Sequence, residues 1–263
     1  MSSVSPFAAA MAKIAQEAGS LILRHYESGA TPRAKADQSP VTAADEEAEA
    51  LILERLAALA PGVPIIAEEQ MAAGHATMLK RRFFLVDPLD GTKEFLKHND
   101  EFTVNIALID GHKAIHGVVL APAKARAFIA DGANGAFELA APRGAGLDVG
   151  RAERIRARKA PHDKTVAVVS RSHRDPKTEH YLAAHRVSEL LAVGSSLKFC
   201  LVASGEADLY PRFGRTMEWD TAAGQAILEA AGGSVKTLDG TSLLYGKAEQ
   251  GFSNPHFIAR GVE

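Results

Sequence analysis

The segment Val86-Asp87-Pro88-Leu89-Asp90-Gly91-Thr92-Lys93-Glu94-Phe95 places two carboxylates three residues apart, directly after the apolar run Phe83 to Val86. Asp-Pro and Asp-Gly both favour turns, so a plain turn is one reading of it. A second apolar run, Pro64 to Ala67, also stops at acids, Glu68-Glu69, and Asp220 opens an apolar helix beside the only tryptophan, Trp219. If the three segments converge, Glu68, Asp87, Asp90 and Asp220 share one pocket. Like charges about 4 Å apart repel by roughly 4 kcal/mol at an effective dielectric near 20, so such a pocket must hold a cation or take up protons. A donor set made only of oxygen favours hard Mg²⁺ or Mn²⁺ over zinc, and Mg²⁺ commonly keeps waters and shares substrate phosphate. The chemistry suggested is phosphoryl transfer. Gly91 and Thr92 would add backbone N–H groups where a helix starts, which is a ready phosphate site, and paired metals activate water on one side while neutralising the leaving oxygen on the other.

Thr42-Ala43-Ala44-Asp45 has the capping-box spacing of a helix start. A carboxylate fixed there is also able to accept a proton from a hydroxyl, which makes Thr92 with Asp45 a water-activating pair. The two roles are compatible. Other chemistries find no support: Gly144, Gly146 and Gly150 miss the dinucleotide spacing, and there is no P-loop, H-E-x-x-H or G-x-S-x-G motif. The ten histidines are scattered, and Cys200 sits in an apolar run where it behaves as a small buried residue. Arg154, Arg156 and Arg158 alternate with Ile155 and Ala157 as on the solvated face of an edge strand.

The elements that must position these residues can be read from periodicity. A helix is expected from Pro6 to Tyr26, stopped by Gly29, and a second after Thr42, ended by Pro61-Gly62. Phe102, Val104, Ile106 and Leu108 alternate with Thr103, Asn105 and Ala107, and Asp110-Gly111 is a hairpin signal before Ala114 to Leu120, so an antiparallel sheet follows. Residues Ala140 to Gly150 lack apolar periodicity and form the best boundary candidate. Beyond it the pattern is α/β: strands at Thr165 to Val169, Leu190 to Val193 and Asp208 to Tyr210, helices at Pro176 to Ala184, Ser196 to Ala203 and Thr221 to Ala231.

The chain has 263 residues, with 30 Lys+Arg against 32 Asp+Glu, 46% hydrophobic and 24% charged residues. That composition is globular, and a net charge of -2 leaves no bulk attraction for nucleic acid or anionic membrane. One cysteine excludes an internal disulfide. No integral membrane segment and no Lys/Arg start with a following apolar run is seen, so the expectation is a cytoplasmic protein, with peripheral attachment at the inner membrane and the oligomeric state left open.

The acid pair after a strand, the Asp87-to-Thr92 run and Trp219-Asp220 at a helix start resemble, in type and order, the lithium-sensitive, magnesium-dependent phosphatase superfamily of inositol monophosphatases, fructose bisphosphatases and bisphosphate nucleotidases. Within it the sequence is most similar to the CysQ-type 3'(2'),5'-bisphosphate nucleotidases, through Ser39 to Asp45, Phe102 to Asp110, Ser170 to His173, Gly194 to Cys200 and Leu209 to Gly214. The resemblance covers nearly the whole chain from residue 10 onward. It implies an α+β / α/β layered sandwich of the sugar-phosphatase, inositol monophosphatase-like type. Residues 1–145 would form an N-terminal α+β lobe with most metal ligands, residues 146–263 a C-terminal α/β lobe with Asp220, and the metal site would lie between them. Glu68, Asp87, the Leu89 carbonyl, Asp90 and Asp220 would hold two or three Mg²⁺ ions, Thr92 and Asp45 would activate the attacking water, and lithium would inhibit.

The implied substrate is adenosine 3',5'-bisphosphate, a by-product of sulfate activation, or its sulfated relative; the former is cleaved to AMP and phosphate. Inositol phosphatases carry a sugar-binding Glu where this chain has Arg212, and a guanidinium suits a second phosphate. Lys198 and Arg171 either add charge for it or are surface residues, and Tyr210 either stacks on a base or fills the sheet edge. Ser170, Gly194 and Ser195 complete the expected substrate contacts, with Glu68, Leu89, Asp90, Gly91, Thr92 and Asp220. The alternatives are an inositol or other sugar monophosphatase of the same fold, or a non-catalytic sensor of phosphorylated nucleotides.

Overall fold

The computed structural model describes residues 4–29, 31–34, 40–75, 77–161, 163–172 and 175–262; Ser39 and His173 lie outside them. The chain opens with α1 (Pro6–Ser28), which Ser5 caps by accepting the Ala8 N–H, with proline in its first turn. The short pair β1 (Arg33–Ala34) and β2 (Pro40–Val41) leads into α2 (Ala43–Leu59), begun by the expected capping box. Next come β3 (Ile65–Ala67), the one-turn α3 (Glu68–Ala72), β4 (Arg82–Asp90) and α4 (Thr92–Leu96). The strands β5 (Thr103–Asp110), β6 (Lys113–Ala121), β7 (Arg126–Asp131), β8 (Ala136–Ala140) and β9 (Glu153–Ile155) complete a seven-stranded sheet in sequence order, antiparallel except for β3 with β4.

A second sheet collects β10 (Thr165–Ser170), β11 (Val187–Val193), β12 (Leu209–Arg212), β13 (Ser234–Thr237) and β14 (Phe257–Arg260) in the order β11-β10-β12-β14-β13. Interspersed are α5 (Pro176–Ala184), α6 (Leu197–Ala203) and α7 (Glu218–Ala230). The parallel strands β10, β11 and β12 follow from the α/β pattern, since a parallel neighbour needs a crossover connection. The sheets change between Ile155 and Thr165, because β9 still pairs with β8. Arg154 on β9 and Arg156 just beyond it are exposed, whereas Arg158, half-exposed itself, grips the buried Asp208 with two hydrogen bonds.

Three apolar clusters define the layers. One joins α1 and α2 to a face of the first sheet through Val104, Ile106 and Leu108. A second, carrying Ala107 and Ile109 from the same strand, fills the space between the sheets around α6 and α7. The third holds Leu182 of α5 against Ala167, Val169, Leu209 and Ile258 on the outer face of the second sheet. The result is a five-layer α/β/α/β/α sandwich, the expected layered fold. Because both faces of β5 are covered, its period-two alternation separates two interiors: Thr103 and Asn105 are as buried as their apolar neighbours and must find polar partners.

Candidate active site

Asp87 and Asp90 are three residues apart, so in a regular strand their side chains would point to opposite faces. The pairing of β4 with β5 shows how this is avoided: Asp87 lies opposite Asn105 and Asp90 opposite Thr103, three residues on one strand against two on the other. This bulge at Pro88-Leu89 adds the one residue that reverses the parity and turns both acids toward the same cavity. The bend is locked locally, since Asp87 Oδ1 accepts the Leu89 N–H at 3.0 Å. Gly91 then takes a left-handed φ of +96°, and a Cβ there would sit 3.0 Å from the Glu101 carbonyl, so only glycine lets the chain turn straight into α4.

The cavity at this point has a volume of about 810 Å³. Carboxylate oxygens of Glu68, at the end of β3, Asp87 on β4 and Asp220 on α7 lie within 4.8 Å of one another. Asp90 lines the same cavity and is held by Ser196 Oγ at 2.8 Å and Asn105 Nδ2 at 3.3 Å. Ser196 also reaches the Asp220 carbonyl, tying the first sheet to α7. The helix α7 starts three residues earlier than its apolar pattern suggested, because Asp220 in its first turn accepts the Met217 N–H at 2.8 Å. Burial first, then the charges of Asp90 and Glu68, raise the Asp220 carboxyl well above the ordinary range. Oxygen-only donors with unrelieved negative charge fit a hard divalent cation.

Beside this acidic wall Thr42, Asp45 and Thr92 form one hydrogen-bonded group. Asp45 Oδ2 accepts the Thr42 N–H at 2.8 Å and the Thr42 hydroxyl at 2.7 Å, which is the helix cap. Its Oδ1 accepts the Thr92 hydroxyl at 3.2 Å, and the Leu89 carbonyl lies 3.4 Å from the same hydroxyl. The carboxylate therefore caps α2 and holds Thr92 with separate oxygens.

The opposite wall comes from the second sheet and the loops at its edge. Ser170, Ser195, Lys198, Tyr210 and Arg212 all line the cavity, as do Leu89, Gly91 and Thr92. Lys198 is buried, its ammonium donating to the Val193 carbonyl at 3.3 Å and to the Ser195 carbonyl. Burial lowers its pKa to about 8, with Asp90 opposing the shift and Arg212 adding to it. Tyr210 packs edge-on against Phe199 and Phe257, and burial raises its phenol. Arg212 is 9% exposed and donates Nη2 to the Arg215 carbonyl at 3.0 Å, while its buried Nε has no hydrogen-bond partner among the described residues.

Two expected substrate residues are not in the cavity lining. Arg171 forms a two-pronged pair with Glu101 at 2.7 and 2.9 Å, and Gly194 donates its N–H to the same carboxylate at 2.8 Å. Motif reading missed Asn105 and Ser196, which hold Asp90, and Glu49, whose two oxygens accept the Glu69 and Gln70 N–H groups at 2.7 and 2.8 Å and so fix the turn carrying Glu68. Glu49 follows Asp45 by four residues, one helical turn, and that spacing was the available signal.

A family model described as the inositol monophosphatase family matches residues 3–260. The chain is 44% identical over 248 residues to 3'(2'),5'-bisphosphate nucleotidase CysQ of Escherichia coli K12, covering 93% of this chain and 96% of that one. The crystal structure of CysQ from Bacteroides thetaiotaomicron, a bacterial member of the inositol monophosphatase family, superposes with a TM-score of 0.81 at 38% identity, covering 97% of each chain. An inositol monophosphatase of Anabaena superposes with a TM-score of 0.75 at 25% identity, covering 97% of this chain and 90% of that one.

Proposed function

The chain belongs to the inositol monophosphatase family, and within it we propose that it is a 3'(2'),5'-bisphosphate nucleotidase. This phosphomonoesterase removes the 3'-phosphate of adenosine 3',5'-bisphosphate to leave AMP, and acts on the sulfated relative in the same way. The observation that carries the reading is Arg212: a buried guanidinium with an unpartnered Nε in a cavity whose other wall is acidic. A guanidinium that already feels the Asp175 charge, and whose Nε has no partner among the described residues, suits a further anionic ligand, and a second phosphate supplies one where an inositol ring does not. The nucleotidase names of the relatives support the same choice.

The division of labour follows the chain, residues 1–145 contributing most of the acids and residues 146–263 the substrate contacts together with Asp220. Glu68, Asp87, the Leu89 carbonyl, Asp90 and Asp220 would hold two or three Mg²⁺ ions, with Mn²⁺ as a substitute. Bound there, the cation supplies Lewis acidity that draws charge from the phosphoryl oxygens. Thr92 and Asp45 handle the proton. With its own hydrogen directed at Asp45 Oδ1, Thr92 Oγ1 turns lone pairs toward the cavity and accepts a hydrogen bond from the attacking water. As the new P–O bond forms, the water proton passes to Thr92 Oγ1 and the Thr92 proton to Asp45. The bond from phosphorus to the ribose 3' oxygen breaks, and that oxygen leaves with a proton from solvent. Arg212 and Lys198 bind the second phosphate, and Ser170 and Ser195 add hydroxyls beside it.

The test is phosphate release from adenosine 3',5'-bisphosphate and inositol 1-phosphate side by side, with Mg²⁺ and with EDTA. Fast, EDTA-sensitive release from the nucleotide is expected. The reverse preference assigns the chain to the sugar-phosphate branch, and tight nucleotide binding without release over hours makes it a sensor.

A further inference from the structure

Glu101 is outside the cavity lining, yet it is packed between the two walls. On one side it precedes Phe102 and Thr103, the latter paired with Asp90, and its carbonyl abuts Gly91. On the other side its side chain, 9% exposed, grips the second sheet. Oε2 accepts Arg171 Nε and the Gly194 N–H, and Oε1 accepts Arg171 Nη2 at 2.9 Å, with Lys124 Nζ 3.9 Å away. Arg171 continues the tie: its backbone N–H donates to the Val193 carbonyl at 3.3 Å and its Nη2 to the Ala192 carbonyl. One carboxylate thus gathers the ends of β10 and β11.

The residue so held carries the basic wall. Lys198 hangs its ammonium on the Val193 and Ser195 carbonyls, the two that flank Gly194. Ser195 itself has a left-handed φ of +51°, an unfavourable state for a residue with a side chain, so the loop needs outside ties to persist. A Cβ on Gly194 would meet the Glu101 carbonyl at 2.6 Å and Glu94 Cγ at 2.7 Å, which shows how closely the two walls approach at this point.

We propose that Glu101 is a positioning residue that sets the spacing between the acidic cluster and the Lys198 wall, and thereby the preference for a substrate bearing a second phosphate. The proposal rests on the nucleotidase reading. In a Glu101→Gln variant one amide oxygen replaces two carboxylate oxygens that serve three donors, so the Gly194 loop loosens while the metal ligands, Thr92 and Asp45 keep their own contacts. Lys198 then presents its charge at the wrong distance from the reacting phosphate.

The experiment compares adenosine 3',5'-bisphosphate with adenosine 3'-monophosphate on wild type, Glu101→Gln and Arg171→Gln. Expected is a KM for the bisphosphate raised at least tenfold in Glu101→Gln, with kcat within threefold of wild type and the monophosphate parameters unchanged. Arg171→Gln, whose side chain is 46% exposed, shifts the same KM by a smaller factor, and it carries the test alone should Glu101→Gln not fold. Combining either variant with Arg212→Gln should raise KM by less than the product of the single effects, because both act on one phosphate. Equal losses on both substrates, a fall in kcat with KM unaltered, or no change overturns the proposal while leaving the function standing. A wild type that prefers inositol 1-phosphate is read before any variant is made, and it overturns the nucleotidase reading and this inference together.

Discussion

The acids on one wall of the cavity come from segments where a buried strand or helix start ends in a carboxylate, and three of them lie within 4.8 Å of one another. The cations on the other wall, Lys198 and Arg212, come from a helix start and a strand end of the second sheet, and each is already engaged with backbone carbonyls. The first wall is crowded with like charge and gains from an added cation. The second is a set of separately tethered donors, which we propose take up an anion. Both walls are held by hydrogen bonds of their own, but only the acids are close enough for the charge of one to raise the carboxyl of another, as at Asp220.

Breaking the acidic wall should have the largest effect. Asp90→Asn keeps the shape and the contacts with Ser196 and Asn105 but removes the charge of a proposed metal ligand, and turnover should fall on the order of 10³-fold or more. Melting in EDTA should show an unchanged or higher transition, because one repulsive charge is gone. Near-normal turnover in steady-state assays would remove this wall from the chemistry. The proposed proton path comes next: Thr92→Ala should lower kcat by about 10²-fold or more with little change in KM. Asp45→Asn should do the same and also cost about 1 kcal/mol in urea unfolding, through the weakened cap.

Changes to the basic wall should be gentler and selective. Arg212→Gln removes charge-assisted hydrogen bonds, each about 1.5–3 kcal/mol, so KM for the bisphosphate nucleotide should rise roughly 10- to 100-fold while adenosine 3'-monophosphate is spared. An equal loss on both would show that the guanidinium serves folding instead. The smallest effect is a pH dependence. Lys198 is charged below about 8 and neutral above it, so kcat/KM for the bisphosphate should decline severalfold as pH rises through that value, and Lys198→Arg should remove the decline. The same shift affects stability with a definite sign. The folded protein releases this proton near 8 and the unfolded chain near 10.5, so the penalty for burying the ammonium is present below 8 and is lost as pH climbs toward 10.5. Thermal melts across that window should show this contribution rising with pH.

The acidic wall was largely legible because its signal is local: an apolar run ending in acids, Asp-Pro-Leu-Asp-Gly-Thr, and Trp-Asp at a helix start. The capping box at Thr42 and Asp45 was legible for the same reason, being a contact across three residues. The ties that fix those acids were not. Asn105 belongs to an alternating strand whose polar residues look solvent-facing, and only the second layer of helices makes them interior. Ser196 and Glu101 act over 106 and 93 residues of sequence separation, where no periodicity connects partners. Arg171 reads either as added charge for a phosphate or as a surface residue, and no local signal shows its partner, Glu101.

By itself the sequence determined the long helices, the antiparallel pair β5 and β6, the α/β character of the second half, the inventory of acids and the helix cap at Asp45, since each depends on neighbours within one turn or one strand; the strands β7, β8, β13 and β14, the last antiparallel to β12 and β13, carried no such signal. Tertiary structure alone decided that a bulge at Pro88-Leu89 turns Asp87 and Asp90 to one side, that Asp220 comes to Glu68 and Asp87, and that Arg212 stays buried with an unpartnered Nε. The physical reason is that charge repulsion, burial and hydrogen-bond satisfaction are set by distances through space, and those distances exist only once the two sheets have closed on α6 and α7.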